Sequence, residues 1–160
     1  MIKEKIIFGI DRKEISHFTF IELHQTINNH HTFTIKVPHS VSEKPRAYTM
    51  ENAQSWMWKV VHIALENKNN FLGIITNIEL DFNLDHVGSQ IILTGFSKTI
   101  LLESGTNLHS WEDTTLQDMV REVIKSGADE QLQNDIQPEF TNKINYQTQY
   151  NETDFQYIQR

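Results

Sequence analysis

The chain has no cysteine in its 160 residues, and that absence removes three kinds of chemistry. There is no disulfide framework, no thiolate zinc site and no cysteine nucleophile. The lack of cysteine fits a cytosolic origin. No run approaches the roughly 18 to 20 apolar residues that a membrane-spanning helix needs. The opening MIKEKIIFGIDRKEI places charge on both sides of a short apolar stretch and offers no small-residue cleavage site, so it is not expected to act as a secretory signal. Without such a signal, the glycosylation-like Asn151-Glu152-Thr153 has no consequence. Also missing are a serine in G-x-S-x-G, a Gly-rich phosphate loop and an H-E-x-x-H pair.

What remains is an ordinary globular composition, with 38% hydrophobic and 22% charged residues. The length suits one domain, or one and a fraction, with a real core. Charge is unevenly placed. Residues 1–48 carry a net +2, residues 49–102 a net −2, and residues 103–160, with eleven acidic against four basic side chains, a net −7. An acidic last third disfavours nucleic acid, whose phosphates supply most non-specific affinity, and disfavours anionic lipid. It is either a solvated helical face or a surface matched to a protein partner.

Strand signals fill the first two thirds. Phe33, Ile35 and Val37 alternate with Thr32, Thr34 and Lys36, the period of a half-buried strand. Asn28-Asn29 separates them from the run His17 to Leu23, so residues 16–38 predict an antiparallel hairpin. Val60 to Leu65 predicts a third strand, with a turn at Asn67 to Asn70. Leu72, Ile74, Thr76, Ile78 and Leu80 predict one face of a fourth, and Ile91 and Leu93 a fifth. Gly73 and Gly95 inside those strands suit bulges or tight bends. The spacing points to a barrel or sandwich.

The last third is helical in pattern. Leu116, Met119, Val120, Val123 and Ile124 form one apolar stripe, predicting a helix over about 115–126. Thr114 with Gln117 offers a capping box, Lys125 complements the dipole, and Gly127 is placed to end the helix in the left-handed conformation. Residues 128–148, blocked by Pro138, predict a short helical turn, a loop and a short strand near Ile144 to Tyr146. A final helix starts near Asn151 or Thr153, with Phe155 and Ile158 on its apolar face. Two turns are too few to be stable alone, so residues 150–160 are expected to be mobile or packed on a neighbour.

Three blocks stand in order: FLGIITNIEL at 71–80, GFSKTILLESGTNLHSWEDTTLQDMV at 95–120 and QYNETDFQYIQR at 149–160. Together they resemble the tube-forming N-terminal region of the VgrG spike proteins of type VI secretion, and of the related baseplate hub proteins of contractile phage tails. In that family a strand leading into G-(Y/F)-S-x-T-I-L-L-(D/E)-x-G precedes one helix, and a second begins at Y-x-E-(S/T)-D-F-x-F-(I/L)-x-R. The resemblance implies an α+β fold: an antiparallel β-barrel over 1–102, then a helical segment over 103–160 that opens the rest of the hub and ends as a fragment. It implies a structural, non-catalytic part without cofactor: a homotrimer in the full protein, making a pseudo-sixfold ring that meets a hexameric Hcp-type tube, with baseplate components and effectors as further partners. Such a protein is cytoplasmic when assembled and then ejected, to the extracellular space or a target cell. A phage tail hub is the alternative within the class. Gly95, Thr99, Asp113, Tyr150 and Glu152, as motif residues, are expected to serve fold and packing. The chain alone is expected to be a monomer or a weak oligomer.

Two positions depart from the family pattern. Lys98 stands where proline is common, and Trp58 stands where a glycine often precedes the Lys-led strand. Trp56-Met57-Trp58 leaves the register of 49–59 open and is either core filling or a subunit interface. A small β-barrel enzyme or ligand carrier is the rival from another class, and its candidate residues are few. His30 and His31 are adjacent, so on a strand they point to opposite faces and do not readily share a metal. Asp81, Asp85 and His86 lie in DFNLDHVG, which reads as a hairpin loop whose polar residues make turns. His62 sits in an apolar strand, as a core or barrel-lining histidine does. No catalytic, cofactor-binding or metal residue is therefore assigned.

Overall fold

The computed structural model describes residues 6–65, 69–82, 88–128 and 141–160. Asn67, Asp85, His86 and Pro138, and with them the expected hairpin loop after Asp81 and most of the helical turn expected after 128, lie outside those residues. The chain divides into two compact units, Met1–Ser97 and Lys98–Arg160.

The first unit contains β1 (Ile6–Ile10), β2 (Lys13–Glu14), β3 (Phe20–His24), β4 (Thr32–Pro38), the short helix α1 (Met50–Gln54), β5 (Val60–Leu65), β6 (Asn69–Asp81) and β7 (Gln90–Ser97). The strands form one seven-stranded sheet in the order β2-β1-β5-β6-β7-β4-β3, antiparallel at every pairing. It curls into a half-barrel, in keeping with the α+β, mainly antiparallel fold expected. Register sets its inner face in rows: Phe8, Ile63 and Phe71; then Ile75, Gly95, Phe33 and Leu23; then Ile78, Leu93, Ile35 and Ile21. Most of these side chains are buried, and Ile15, Phe18, Tyr48, Met50, Ala53 and Trp56 pack into the same cluster from outside the sheet. Each large apolar side chain removed from water contributes about 1.5–3 kcal/mol, so these rows dominate the unit's stability.

The expected hairpin is present, with β3 and β4 joined through Asn28 at φ 62°, a left-handed position that asparagine tolerates. Its first strand starts at Phe20 rather than near His17. Phe18 instead sets its ring edge-on to Phe8, with centroids 6.1 Å apart. The expected single face of Leu72, Ile74, Thr76, Ile78 and Leu80 is not found. A bulge between Ile75 and Asn77 shifts the register by one residue, so Phe71 and Ile75 face inward before it and Ile78 and Leu80 after it. Gly73 and Gly95 are not themselves the bulge. They make room: a Cβ on Gly73 would lie 2.7 Å from the Phe33 ring and 2.8 Å from that of Phe71, and one on Gly95 would overlap the Ile74 carbonyl oxygen.

The second unit starts with a 3-10 segment, Lys98–Glu103, and continues with β8 (Asn107–Thr115), α2 (Leu116–Ala128), β9 (Lys143–Glu152) and α3 (Asp154–Gln159). Strand is longer here than periodicity shows. β8 and β9 pair antiparallel along their length, and only the stretch near Ile144 to Tyr146 carries a strand signal in the sequence. The α2 cap is one residue later than expected: Thr115 Oγ1 accepts from the Asp118 backbone N–H at 3.2 Å and donates to Asp118 Oδ2 at 2.7 Å. Gly127 does not end α2 in the left-handed region but lies within the helix. Its lack of a side chain serves packing, since a Cβ there would lie 2.5 Å from Asp154 Oδ2.

The glycines under Phe33 give the first prediction. Gly95→Ala is expected to lower stability by about 3 kcal/mol or more, because neither the Ile74 carbonyl nor the Phe33 ring can retreat from a packed core. Urea titration measures the loss, and a change below about 1 kcal/mol would contradict the packing described.

Candidate functional site

Alternation along β8 sends His109 and Trp111 to the helix side of the β8–β9 ribbon and Leu108, Ser110 and Glu112 to the other. Trp111 is the centre of the helix side. Its ring stacks on Tyr157 of α3, with centroids 5.0 Å apart and planes 17° apart, and Met119 and Val123 of α2 complete a buried cluster. A buried indole needs a partner for its N–H. Glu122 supplies one: Trp111 Nε1 donates to Glu122 Oε2 at 2.8 Å, and His109 Nε2 stands 3.4 Å from the other carboxylate oxygen. Tyr157 donates to Met119 Sδ at 3.6 Å. Burial pushes the Tyr157 phenol above its ordinary value, partly offset by the nearby Arg160 guanidinium.

Asp154, the first residue of α3, is only 4% exposed. Its Oδ1 accepts from Asn107 Nδ2 at 2.7 Å and Gln149 Nε2 at 2.8 Å, while Oδ2 lies against the Cα of Gly127. One carboxylate thus ties together β8, β9, the end of α2 and the start of α3. Around it, Thr153 and Gln156 form a reciprocal capping box, and Arg160 Nη2 reaches the Thr148 carbonyl at 2.9 Å and Glu152 Oε1 at 3.1 Å. Residues 152–160 are therefore packed within their own chain, and Tyr157, not Phe155, is the buried anchor. Ser104, Ser126 and Glu122 share with these groups a cleft of about 280 Å³. Asp154, Asn107 and Gln149 hold one another there, as do Glu122 and Trp111, while Ser104 and Ser126 donate to the Leu101 and Val123 carbonyls.

The sequence-level candidates for chemistry do not converge. His30 is buried with its ring edge-on to Phe96, centroids 6.3 Å apart, and its backbone N–H bonds to Asn29 Oδ1. The His31 backbone N–H donates to Ser97 Oγ at 3.2 Å. His62 lies on β5 opposite Gly9 and Leu72, half-buried. Asp81 ends β6, exposed. Among the described residues no three His, Asp or Glu side chains gather to hold a metal ion. No helix among them is long and apolar enough to cross a membrane.

The motif residues separate into two kinds. Gly95 serves core packing and Glu152 the Arg160 pair; Asp113 takes φ 49° inside β8, and Thr99 lies in the 3-10 segment. Tyr150 does not pack inside the chain: it is 74% exposed, opposite Leu108 at 72%, on the outer face of the ribbon. Tyr146 adds a second exposed ring on that face, its phenol lowered by hydrogen bonds to Ser110 and Thr148. The adjacent aromatics of the first unit separate in the same way. Trp56 is half-buried against Tyr48, centroids 5.2 Å apart, whereas Trp58 is 69% exposed at φ 64°. That conformation costs a bulky side chain roughly 1–2 kcal/mol.

The first unit is thus a half-barrel of antiparallel strands, and the second a two-stranded ribbon with helices held to it through polar contacts. The family model for the phage tail baseplate hub (GPD) matches residues 26–160, and the chain belongs to that family. Solved structures share its fold. An E. coli component of the type VI secretion system, itself structurally similar to the T4 bacteriophage tail proteins gp27 and gp5, superposes with a TM-score of 0.66 at 12% identity, over 96% of this chain and 41% of that one. The 43 kDa tail protein of prophage MuSo2 from Shewanella oneidensis gives 0.70 at 11% identity, over 98% and 46%. A tail protein from Neisseria meningitidis gives 0.65 at 12% identity, over 97% and 43%. The chain thus spans less than half the length of these structures. No curated protein sequence matches it.

The Asp154 knot yields a prediction. Asp154→Ala removes an acceptor from the buried Gln149 amide and from the exposed Asn107 amide and is expected to cost about 1–3 kcal/mol, whereas Tyr150→Ser, at an exposed site, should stay within about 0.5 kcal/mol. Thermal unfolding of both variants checks the contrast, and equal losses would contradict it.

Proposed function

We propose that this chain is the N-terminal hub portion of a VgrG-like spike in a type VI secretion or related contractile injection system. The observation that carries the reading is the family match across residues 26–160, which includes all three ordered motif blocks. On this reading residues 1–102, which contain the half-barrel, are the tube-type part, and 103–160 open the remainder of the hub. Three copies of the full protein form a pseudo-sixfold ring that caps an Hcp-type tube, next to baseplate components and carrying effectors. The work is mechanical, and the chain is not an enzyme. Sheath contraction supplies the free energy, and the hub transmits load through a packed core and the Asp154 knot. The protein is cytoplasmic until ejection. The prophage and tail-protein likenesses favour a second version of the same role, the baseplate hub of a phage tail.

A deletion of residues 1–160 from the full-length gene tests the role. Release of tube protein into the medium, or formation of complete tails where the genes are phage-like, is expected to be lost and to return on complementation. Unchanged release or tail formation would sink the proposal.

A further inference from the structure

Asp154 uses only one of its two oxygens to hold the fold. Oδ1 takes both the Asn107 and the Gln149 amide, whereas among the described residues no hydrogen bond reaches Oδ2, although the side chain is only 4% exposed. A carboxylate oxygen withdrawn from water without a donor is unfavourable. Oδ2 is not sealed in. It lies against Gly127, and Asp154 and Gly127 both line the cleft of about 280 Å³ in the second unit. The bare Cα of Gly127 leaves that approach open, since a Cβ there would lie 2.5 Å from Oδ2.

The other walls of the cleft share the bias towards acceptors. Trp111 Nε1 is turned to Glu122 Oε2, Gln149 Nε2 to Asp154 and to the Glu152 carbonyl, and the Ser104 and Ser126 hydroxyls to backbone carbonyls. Glu122 Oε1 has only His109 Nε2 near it among the described residues, at 3.4 Å, long for a hydrogen bond. No lysine or arginine lines the cleft, and Val123, Ser126 and Gly127 bring the last turns of α2, the negative end of its dipole, to one wall. An incoming group therefore meets two carboxylates and few free donors. Because no three acidic or histidine side chains among the described residues gather around one point, the arrangement does not suit a metal ion. Separated acceptors suit a cation that spreads its N–H groups. A guanidinium carries five in a planar fork and stacks on aromatic faces, and the His109 and Trp111 rings, centroids 4.3 Å apart, supply an aromatic wall. The volume lies just below the roughly 300–1,000 Å³ of sites that enclose a whole small molecule, and fits one side chain. We propose that this cleft binds a guanidinium group, presented as an arginine side chain by a segment of a partner protein. The inference goes beyond the hub reading and does not depend on it.

NMR of the purified chain, titrated with N-acetyl-arginine amide, tests it through the Trp111 indole N–H, assigned by elimination with Trp56→Phe and Trp58→Phe. A saturable shift with a Kd of about 1–10 mM is expected, the strength of a single charged side chain. The lysine analogue should bind at least about threefold more weakly. Glu122→Gln, which keeps an acceptor for Trp111 but removes the charge, should weaken binding at least about fivefold, and Asp154→Asn, which keeps Oδ1 and replaces Oδ2 by a donor, at least about tenfold. Where Asp154→Asn does not fold, Glu122→Gln decides alone. No saturable shift up to about 50 mM, or an affinity unchanged in Glu122→Gln, overturns the proposal. Equal binding of the lysine analogue overturns the choice of guanidinium. A Gly-Arg-Gly peptide should bind at least as well as free arginine, and free arginine binding about tenfold more tightly than the peptide would overturn the protein partner in favour of a small metabolite. Binding is read on the purified chain and the hub role on release of tube protein, so either can fail while the other stands.

Discussion

Phe33 needs a gap in the sheet, and the first unit is organised around supplying it. Its ring lies where the side chains of Gly73 and Gly95 would otherwise project, with Phe71 edge-on to it at 5.8 Å between centroids. Without those two glycines the inner rows on either side, Phe8 with Ile63 and Leu93 with Ile35, could not close around one ring. The bulge next to Ile75 completes the arrangement. It adds bend where β6 runs past the gap and restores the inward direction of Ile78 and Leu80. Curvature in this half-barrel is thus a packing requirement written at a few positions.

The second unit solves a different problem, that of joining short elements with little apolar surface. Trp111, Tyr157, Met119 and Val123 make a small cluster. Polar contacts hold the ends: Asp154 with Asn107 and Gln149, Glu122 with Trp111, Arg160 with Glu152. Buried polar groups that satisfy one another fix geometry more tightly than apolar contact alone, because each bond has a direction. The family's third motif block is largely this knot. Thr153 caps, Asp154 ties, Tyr157 stacks and Arg160 closes the block onto β9, which explains why so polar a string ends in a well-packed helix.

The parts that were legible in the sequence are those in which one face differs sharply from the other. β4, with Phe33, Ile35 and Val37 buried between polar neighbours, and the α2 stripe of Met119 and Val123 are of this kind. β6 misleads because its period breaks at Thr76, a residue with no special signature. β8 is hidden because NLHSWEDTT buries a single side chain, Trp111, and both faces otherwise read as polar. Gln149 is 1% exposed, yet nothing in its neighbours marks a glutamine as core. Its partner Asp154 reads as an ordinary helix-start acid, since the amides that hold it come from β8 and β9. The Trp58 departure from glycine was visible in the sequence, but its meaning required the sign of φ.

We propose that this chain is part of a hub placed end-on to a tube. Cryo-electron microscopy of the intact particle, with the full-length protein in place, tests it most directly. The account predicts density for the half-barrel in a closed ring of copies coaxial with the tube and in contact with its last layer. Finding the protein off the particle axis, or absent from particles that are otherwise complete, would contradict the account.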